Sequence, residues 1–263
     1  MLIGIVDIIK NSVEFYIKNW KKFVIYLPIL FIPTVVLTTL GIISVFYVEA
    51  FKIKSYFIIS TLVIVAIVIA GALFSLWVTI ALIQTMKKIY KNEELTDWKK
   101  TISDNSYLIW PVFLTSLMTT ALVVIGSLLF LIPGLLFFIW YTFTFYAVVF
   151  DNKRGIEALK VSKALVLGRW WKMFLRIMIP GFIFGILITI LSSIITYPIN
   201  FLLARETVLH QIITNMLTIT INILVTPLVS FSMILLYFSA KENPIQNELP
   251  PIDEMQTKEL PAK

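Results

Sequence analysis

A chain of 263 residues that is 59% hydrophobic and only 14% charged carries more apolar surface than one soluble domain of that size buries. With no Cys it has neither a disulfide framework nor a thiolate metal site. The formal charge of +7 resides in Lys and Arg beside apolar runs, which points to anionic lipid headgroups rather than nucleic acid as the electrostatic partner.

Residues 3–22 open the chain as an amphipathic helix. Ile5, Ile9, Val13, Tyr16 and Trp20 recur at helical spacing on one side, and Asp7, Lys10, Glu14, Lys18 and Lys21 lie opposite. Such a helix is expected in the membrane interface with Trp20 at headgroup depth, and Glu14 is spaced to pair with Lys18. Apolar runs near 23–48 and 56–84 follow, each long enough for the roughly 20 residues that a helix needs to cross hydrocarbon. The first begins after a charged segment and exceeds a signal-peptide core, so it is expected to remain as a span.

A second polar segment, residues 92–106 with Trp98, Lys99 and Lys100, precedes a 44-residue apolar run from Tyr107 to Phe150. That run is too long for one crossing, so it reads as spans near 107–131 and 133–150 with the reversal at Pro133-Gly134. Trp140, Tyr141, Tyr146 and several Thr make the second of these more interfacial, open to a re-entrant or strongly tilted path.

Residues 153–172 are the third polar segment and the best candidate for functional contact. Arg154, Lys160, Lys163, Arg169 and Lys172 gather positive charge within a Debye length of the membrane, and Trp170 adds an interfacial indole. Ala158, Val161, Ala164, Leu165 and Gly168 supply a narrow face expected to pack on the bundle. Topology anchoring by itself explains most of these charges, but not the ordered string EALKVSKALVLGRWW. Lys10, Ser12, Trp20 and Lys22 fall against Lys160, Ser162, Trp170 and Lys172 at a constant offset, which chance in a Lys-rich chain or an internal duplication both explain.

Runs near 173–200 and 212–238 complete six spans. Gln211, Asn215, Thr218, Asn222 and Thr226 trace a polar stripe on the last, and Ser192, Ser193, Thr196 and Asn200 another on the fifth. Such stripes mark helix packing or a polar pathway. Pro180 and Pro227 are expected to bend these helices, and Gly181 with Gly185 to admit a close neighbour. His210 reads as part of a short loop with Arg205 and Glu206. Residues 241–263, rich in Pro, Glu and Gln, read as a disordered cytoplasmic tail able to bind a protein partner.

The chain is therefore expected to be an all-α integral membrane protein: a six-helix transmembrane bundle with cytoplasmic interfacial amphipathic helices, over residues 1–240. Possible units are 1–90, 91–150 and 151–240, each entering the membrane in the same sense. Nineteen Lys and Arg fall on one side of this layout and Lys52, Lys54 and Arg205 on the other, which puts both termini in the cytoplasm of a cell (inner or plasma) membrane.

No catalytic, metal or cofactor site is expected, since one His, scattered carboxylates and isolated glycines match neither a metallohydrolase nor a phosphate loop. Ionisable groups are missing from the spans away from their ends, which weighs against ion-coupled transport. The expected function is a membrane scaffold or lipid-interacting component; the alternative is a permease-like subunit working with a separate energising partner.

The string from Ile132 to Phe174, with Pro133, Gly134, Glu157, Ala158, Leu159, Ser162, Gly168 and Trp170 as matching positions, resembles the YciC-like membrane proteins and the related membrane domain attached to some glycerophosphodiester phosphodiesterases. The resemblance implies a six-helix bacterial or archaeal membrane protein of poorly defined molecular activity. It covers the membrane domain alone and brings no catalytic residue.

Overall fold

The computed structural model describes residues 1–48, 54–202 and 207–244. Lys52, Arg205, Glu206 and the tail beyond Pro244 lie outside them. The described residues form helices and no strand: α1 (Ile5–Phe23), α2 (Tyr26–Val48), α3 (Lys54–Tyr90), α4 (Trp98–Asp104), α5 (Ile109–Leu129), α6 (Leu131–Tyr141), α7 (Thr144–Asp151), α8 (Ile156–Val166), α9 (Trp170–Leu202) and α10 (Val208–Glu242), with a 3-10 turn at Ser106–Leu108. Five spans are long and apolar enough to cross a membrane, α6 and α7 together making one of them, and the pair α1–α2, bent by 83°, supplies up to a sixth. The 23 residues of α2 reach about 35 Å unaided, enough for the hydrocarbon layer. A short helix followed by two spans thus recurs three times in chain order.

The segment at 92–106 is less helical than expected, because only α4 and the 3-10 turn are regular. Trp77 Nε1 donates to the Ile102 carbonyl at 2.7 Å and Lys88 Nζ to Thr96 Oγ1 at 3.1 Å, fastening this segment to α3.

The reversal between α5 and α6 is not at Pro133-Gly134. Phe130, with φ −161° and ψ 155°, is the single extended residue between the helices. Pro133 lies in the first turn of α6, where no intrahelical partner awaits its missing N–H. Gly134 serves close approach instead. A Cβ there would stand 2.8 Å from Ser127 Cα, and one on Gly126 would stand 3.2 Å from Gly134 Cα, so both glycines are needed where α5 and α6 touch. The segment after the reversal spans as Leu131–Asp151, broken at Thr142-Phe143.

The core gathers at one end of the bundle. Phe143, Tyr146, Phe150, Tyr237 and Phe238 form a ring cluster with centroid separations of 5.3–5.9 Å. Around it Val78, Ile80–Ile83 and Met86 of α3, Ala147–Val149 of α7 and Ile234–Leu236 of α10 are buried. Tyr237 donates its hydroxyl to Asp151 Oδ2 at 2.7 Å and Lys241 Nζ donates to Asp151 Oδ1 at 2.6 Å, tying α7 to α10. Beyond this end the apolar side chains of α3, α5 and α9 face outward. Pro180 and Pro198 lie inside α9 and Pro227 inside α10. A Cβ at Gly181 or Gly185 meets nothing within 4 Å, so the close contact expected there is not made among the described residues.

α1 lies across the packed end with three faces rather than two. Ile8, Ser12, Asn19 and Phe23 are buried against the bundle, with Phe15 stacked on Phe231 at 3.5 Å between centroids. Of the expected interfacial stripe, Val13 and Trp20 are exposed and Ile5, Ile9 and Tyr16 half-buried, and Val6 and Ile17 add a further exposed apolar face. Glu14 pairs with Lys10 at 3.9 Å and not with Lys18.

Candidate functional site

Every candidate for headgroup contact stands at the packed end, and the structure sorts these side chains by the work each does. α8 is anchored by Ser162, fully buried, whose Oγ donates to the Trp140 carbonyl at 2.7 Å and accepts the Phe143 N–H at 3.0 Å. Phe143 sits at the break between α6 and α7, where its N–H leaves the helical ladder. A serine from outside the span supplies the partner that hydrocarbon cannot. The buried face of α8 is Ala158, Leu159, Ser162 and Val166; Ala164 and Gly168, expected on it, are exposed. Gly155 begins α8 at φ +51°, and its N–H donates to Thr115 Oγ1 of α5 at 3.0 Å.

Two arginines hold backbone. Arg169 donates from Nε to the Leu165 carbonyl at 2.8 Å, from Nη2 to Ala240 at 2.8 Å and from Nη1 to Asn243 at 2.5 Å. Ala240 and Asn243 belong to the final turn of α10 and the residue after it, where carbonyls have no intrahelical donor. Arg169, expected at lipid headgroups, is a clamp on the last helix. Arg176, which the sequence did not single out, donates from Nε to the Ile3 carbonyl at 2.7 Å and so holds the approach to α1. Nothing in local sequence separates either arginine from its neighbours, since their partners are remote along the chain.

Lys163 lies 4.6 Å from the centroid of Trp140, a cation–π contact that leaves it partly covered. Trp170 stacks on Phe174 at 5.2 Å with its indole N–H buried and unpaired among the described residues, so it is not the exposed indole of this segment. Trp171, 68% exposed, is. Arg154, Lys160 and Lys172 project into the surroundings. Lys18, Lys21 and Lys22 of α1 share the same end, with Lys21 5.9 Å from the Trp20 ring. Burial against the bundle pushes the Tyr16 phenol up from its ordinary pKa. Between the start of α9 and the end of α10 lies a cleft of about 700 Å³ bordered by Arg169, Lys172, Arg176 and Glu242.

The intramembrane stripe sits apart from this end. Asn215 and Asn222 are exposed and Thr218 half-buried; Asn222 Nδ2 donates to the Thr218 carbonyl at 2.8 Å, and Thr226 Oγ1 donates to the Asn222 carbonyl at 2.9 Å. Gln211 and Asn215 make no side-chain hydrogen bond among the described residues. His210 is not in a loop: it occupies the first turn of α10, is buried, and meets Asn200 Oδ1 through Nε2 at 2.7 Å, closing the α9–α10 hairpin. Among the described residues no group of three or more His, Asp or Glu is arranged to hold a metal ion.

Comparison of the chain with protein-family models, curated proteins and solved structures returned no match.

Proposed function

We propose that this chain is a non-enzymatic, multi-pass protein of a prokaryotic cell membrane, with its basic end in the cytoplasm, that acts as a scaffold or lipid-interacting component by gripping anionic headgroups. The observation that supports the reading is the pairing of exposed cations with exposed apolar side chains at one end. Lys18, Lys21, Arg154, Lys160 and Lys172 stand beside Ile17, Trp20, Leu167 and Trp171. Apolar groups immersed at the acyl boundary with cations just above them is the arrangement an anionic leaflet favours, each cation adding up to about 1 kcal/mol. The resemblance of residues 132–174 to YciC-like proteins fits the same reading.

The test is mass spectrometry of the lipids retained through purification from a membrane containing phosphatidylglycerol. Replacing Lys18, Lys21, Arg154, Lys160 and Lys172 by Gln is expected to lower the retained phosphatidylglycerol at least about tenfold while phosphatidylethanolamine is kept. Lys163 and Arg169 stay unmodified because they support the fold. Retention indifferent to all five substitutions rejects the reading.

A further inference from the structure

A second opening, of about 460 Å³, lies between α3, α5, the α6–α7 span and α10, running from the packed core towards the middle of the bundle. Three helices independently fix its depth. Thr79 is 11 residues from the end of α3, Thr120 is 11 from the start of α5, and Ser230 is 12 from the end of α10. At 1.5 Å per residue all three lie about 16–18 Å from the basic end, near the middle of a ~30 Å hydrocarbon layer.

Its walls are Phe and aliphatic side chains set with hydroxyls, and no Lys, Arg, Asp, Glu or His lines it. Some hydroxyls are satisfied within their own helices: Thr79 Oγ1 donates to Ser75 at 2.7 Å, Thr119 to Thr115 at 2.9 Å and Thr142 to Phe138 at 3.0 Å. Ser116, Thr120, Tyr141, Tyr146 and Ser230 make no side-chain hydrogen bond among the described residues, although all five line the opening. Tyr146 stands nearer the packed end, beside Tyr237, and its residue is only 8% exposed, yet its phenol has no partner among the described residues. Hydroxyls without partners at this depth are unfavourable unless something else pairs with them.

Ser230 lies one turn beyond the polar stripe on α10. Gln211, Asn215, Asn222, Thr226 and Ser230 follow one another at steps of four, seven, four and four residues, all helical repeats of a single face. Of these residues only Ser230 lines the opening, and Asn215 and Asn222 lie exposed further towards the far end of the bundle.

We infer that this opening is a binding site for the uncharged, hydrogen-bonding headgroup of a membrane-dissolved amphiphile. A hydroxyl or ester head meets the free hydroxyls of Ser116, Thr120, Tyr146 and Ser230, and the acyl chains lie along the apolar walls. The lack of any cation in the lining disfavours a phosphate head at this depth, which separates this site from the rim.

The test uses the full chain in phosphatidylcholine nanodiscs containing a photoactivatable diacylglycerol, with a photoactivatable phosphatidic acid of the same acyl chains in parallel. Diacylglycerol adducts are expected to concentrate on peptides covering 116–123, 138–146 and 226–233. They are expected to fall about threefold for each hydroxyl removed in Ser116→Ala, Thr120→Val, Tyr146→Phe and Ser230→Ala. Phosphatidic acid adducts are expected at the basic end and to be unchanged by these variants, so this outcome stands or falls separately from the rim. Adducts spread as densely over the outward face of α9, yields unchanged in all four variants, or equal entry of phosphatidic acid would overturn the inference. So would rapid labelling of Ser230→Cys by a membrane-impermeant maleimide, which marks a water-filled path for a soluble solute.

Discussion

At the basic end, side chains from α1, α3, α7, α8 and α10 interlock around Phe143 and Tyr237; beyond Gly181, α9 presents Phe182, Ile190, Ile194 and Phe201 outward. Both halves are apolar, yet most of the buried side chains gather in the first. Within lipid an outward-facing Ile loses nothing that burial would restore, because acyl chains are as apolar as the side chain, so association of helices there needs shape and polar contacts instead. The packed end differs because backbone groups freed by helix breaks and ends must find partners, and Ser162, Arg169 and Arg176 supply them. The fold is fixed most firmly where it has the most breaks.

The sharpest contrast comes from core truncation. Phe143→Ala is expected to destabilise by about 3–5 kcal/mol, while Ile194→Ala changes stability by less than about 0.5 kcal/mol, both read from unfolding in detergent. Equal losses at the two sites would remove the distinction between the halves. Arg169→Ala leaves the Ala240 and Asn243 carbonyls without their donor and is expected to lose about 1.5–3 kcal/mol, with faster hydrogen exchange at the end of α10. Arg169→Lys rescues only part of this, since one ammonium cannot reproduce a fork reaching three carbonyls.

The two serines at matching positions of the possible repeat sharpen the comparison further. Both are fully buried. Ser162→Ala, which removes the acceptor for Phe143 and the donor to Trp140, is expected to destabilise by about 1–2 kcal/mol. Ser12→Ala is expected to be neutral or stabilising, because the Ser12 hydroxyl is buried with no partner among the described residues. A loss at Ser12 as large as at Ser162 would mean that the two sites are held alike. Smallest of all, Lys10→Gln should leave the unfolding midpoint unmoved, since its pair with Glu14 is long and exposed.

Apolar runs were legible because hydrocarbon demands about 20 residues per crossing whatever the partner helix. The amphipathic character of residues 3–22 and the position of α8 were legible for a related reason, since periodicity reports which side of a helix avoids water. Which apolar side chains meet protein was not: the stripe Ile5, Ile9, Val13, Tyr16 and Trp20 was assigned to the interface, while Ile8 and Phe23, outside it, are the ones buried against the bundle. Pro133-Gly134 carried a turn signal that the structure uses differently, because Phe130 makes the reversal and Gly134 lets two helices touch. Arg169 and Lys163 were indistinguishable from Arg154 and Lys160 by type and spacing. Their roles depend on carbonyls 71 and 74 residues away and on the Trp140 ring.

By itself, then, the sequence determined that the chain is helical, that its long segments suit a membrane and that its charge collects at one end, since each follows from local hydropathy and the backbone's need for internal hydrogen bonds in lipid. Tertiary structure alone decided which polar groups serve the fold and which remain free. Hydroxyls and guanidinium groups are assigned by partners distant along the chain, and the same residue types, Ser162 and Ser230 or Arg169 and Arg154, come out with opposite roles.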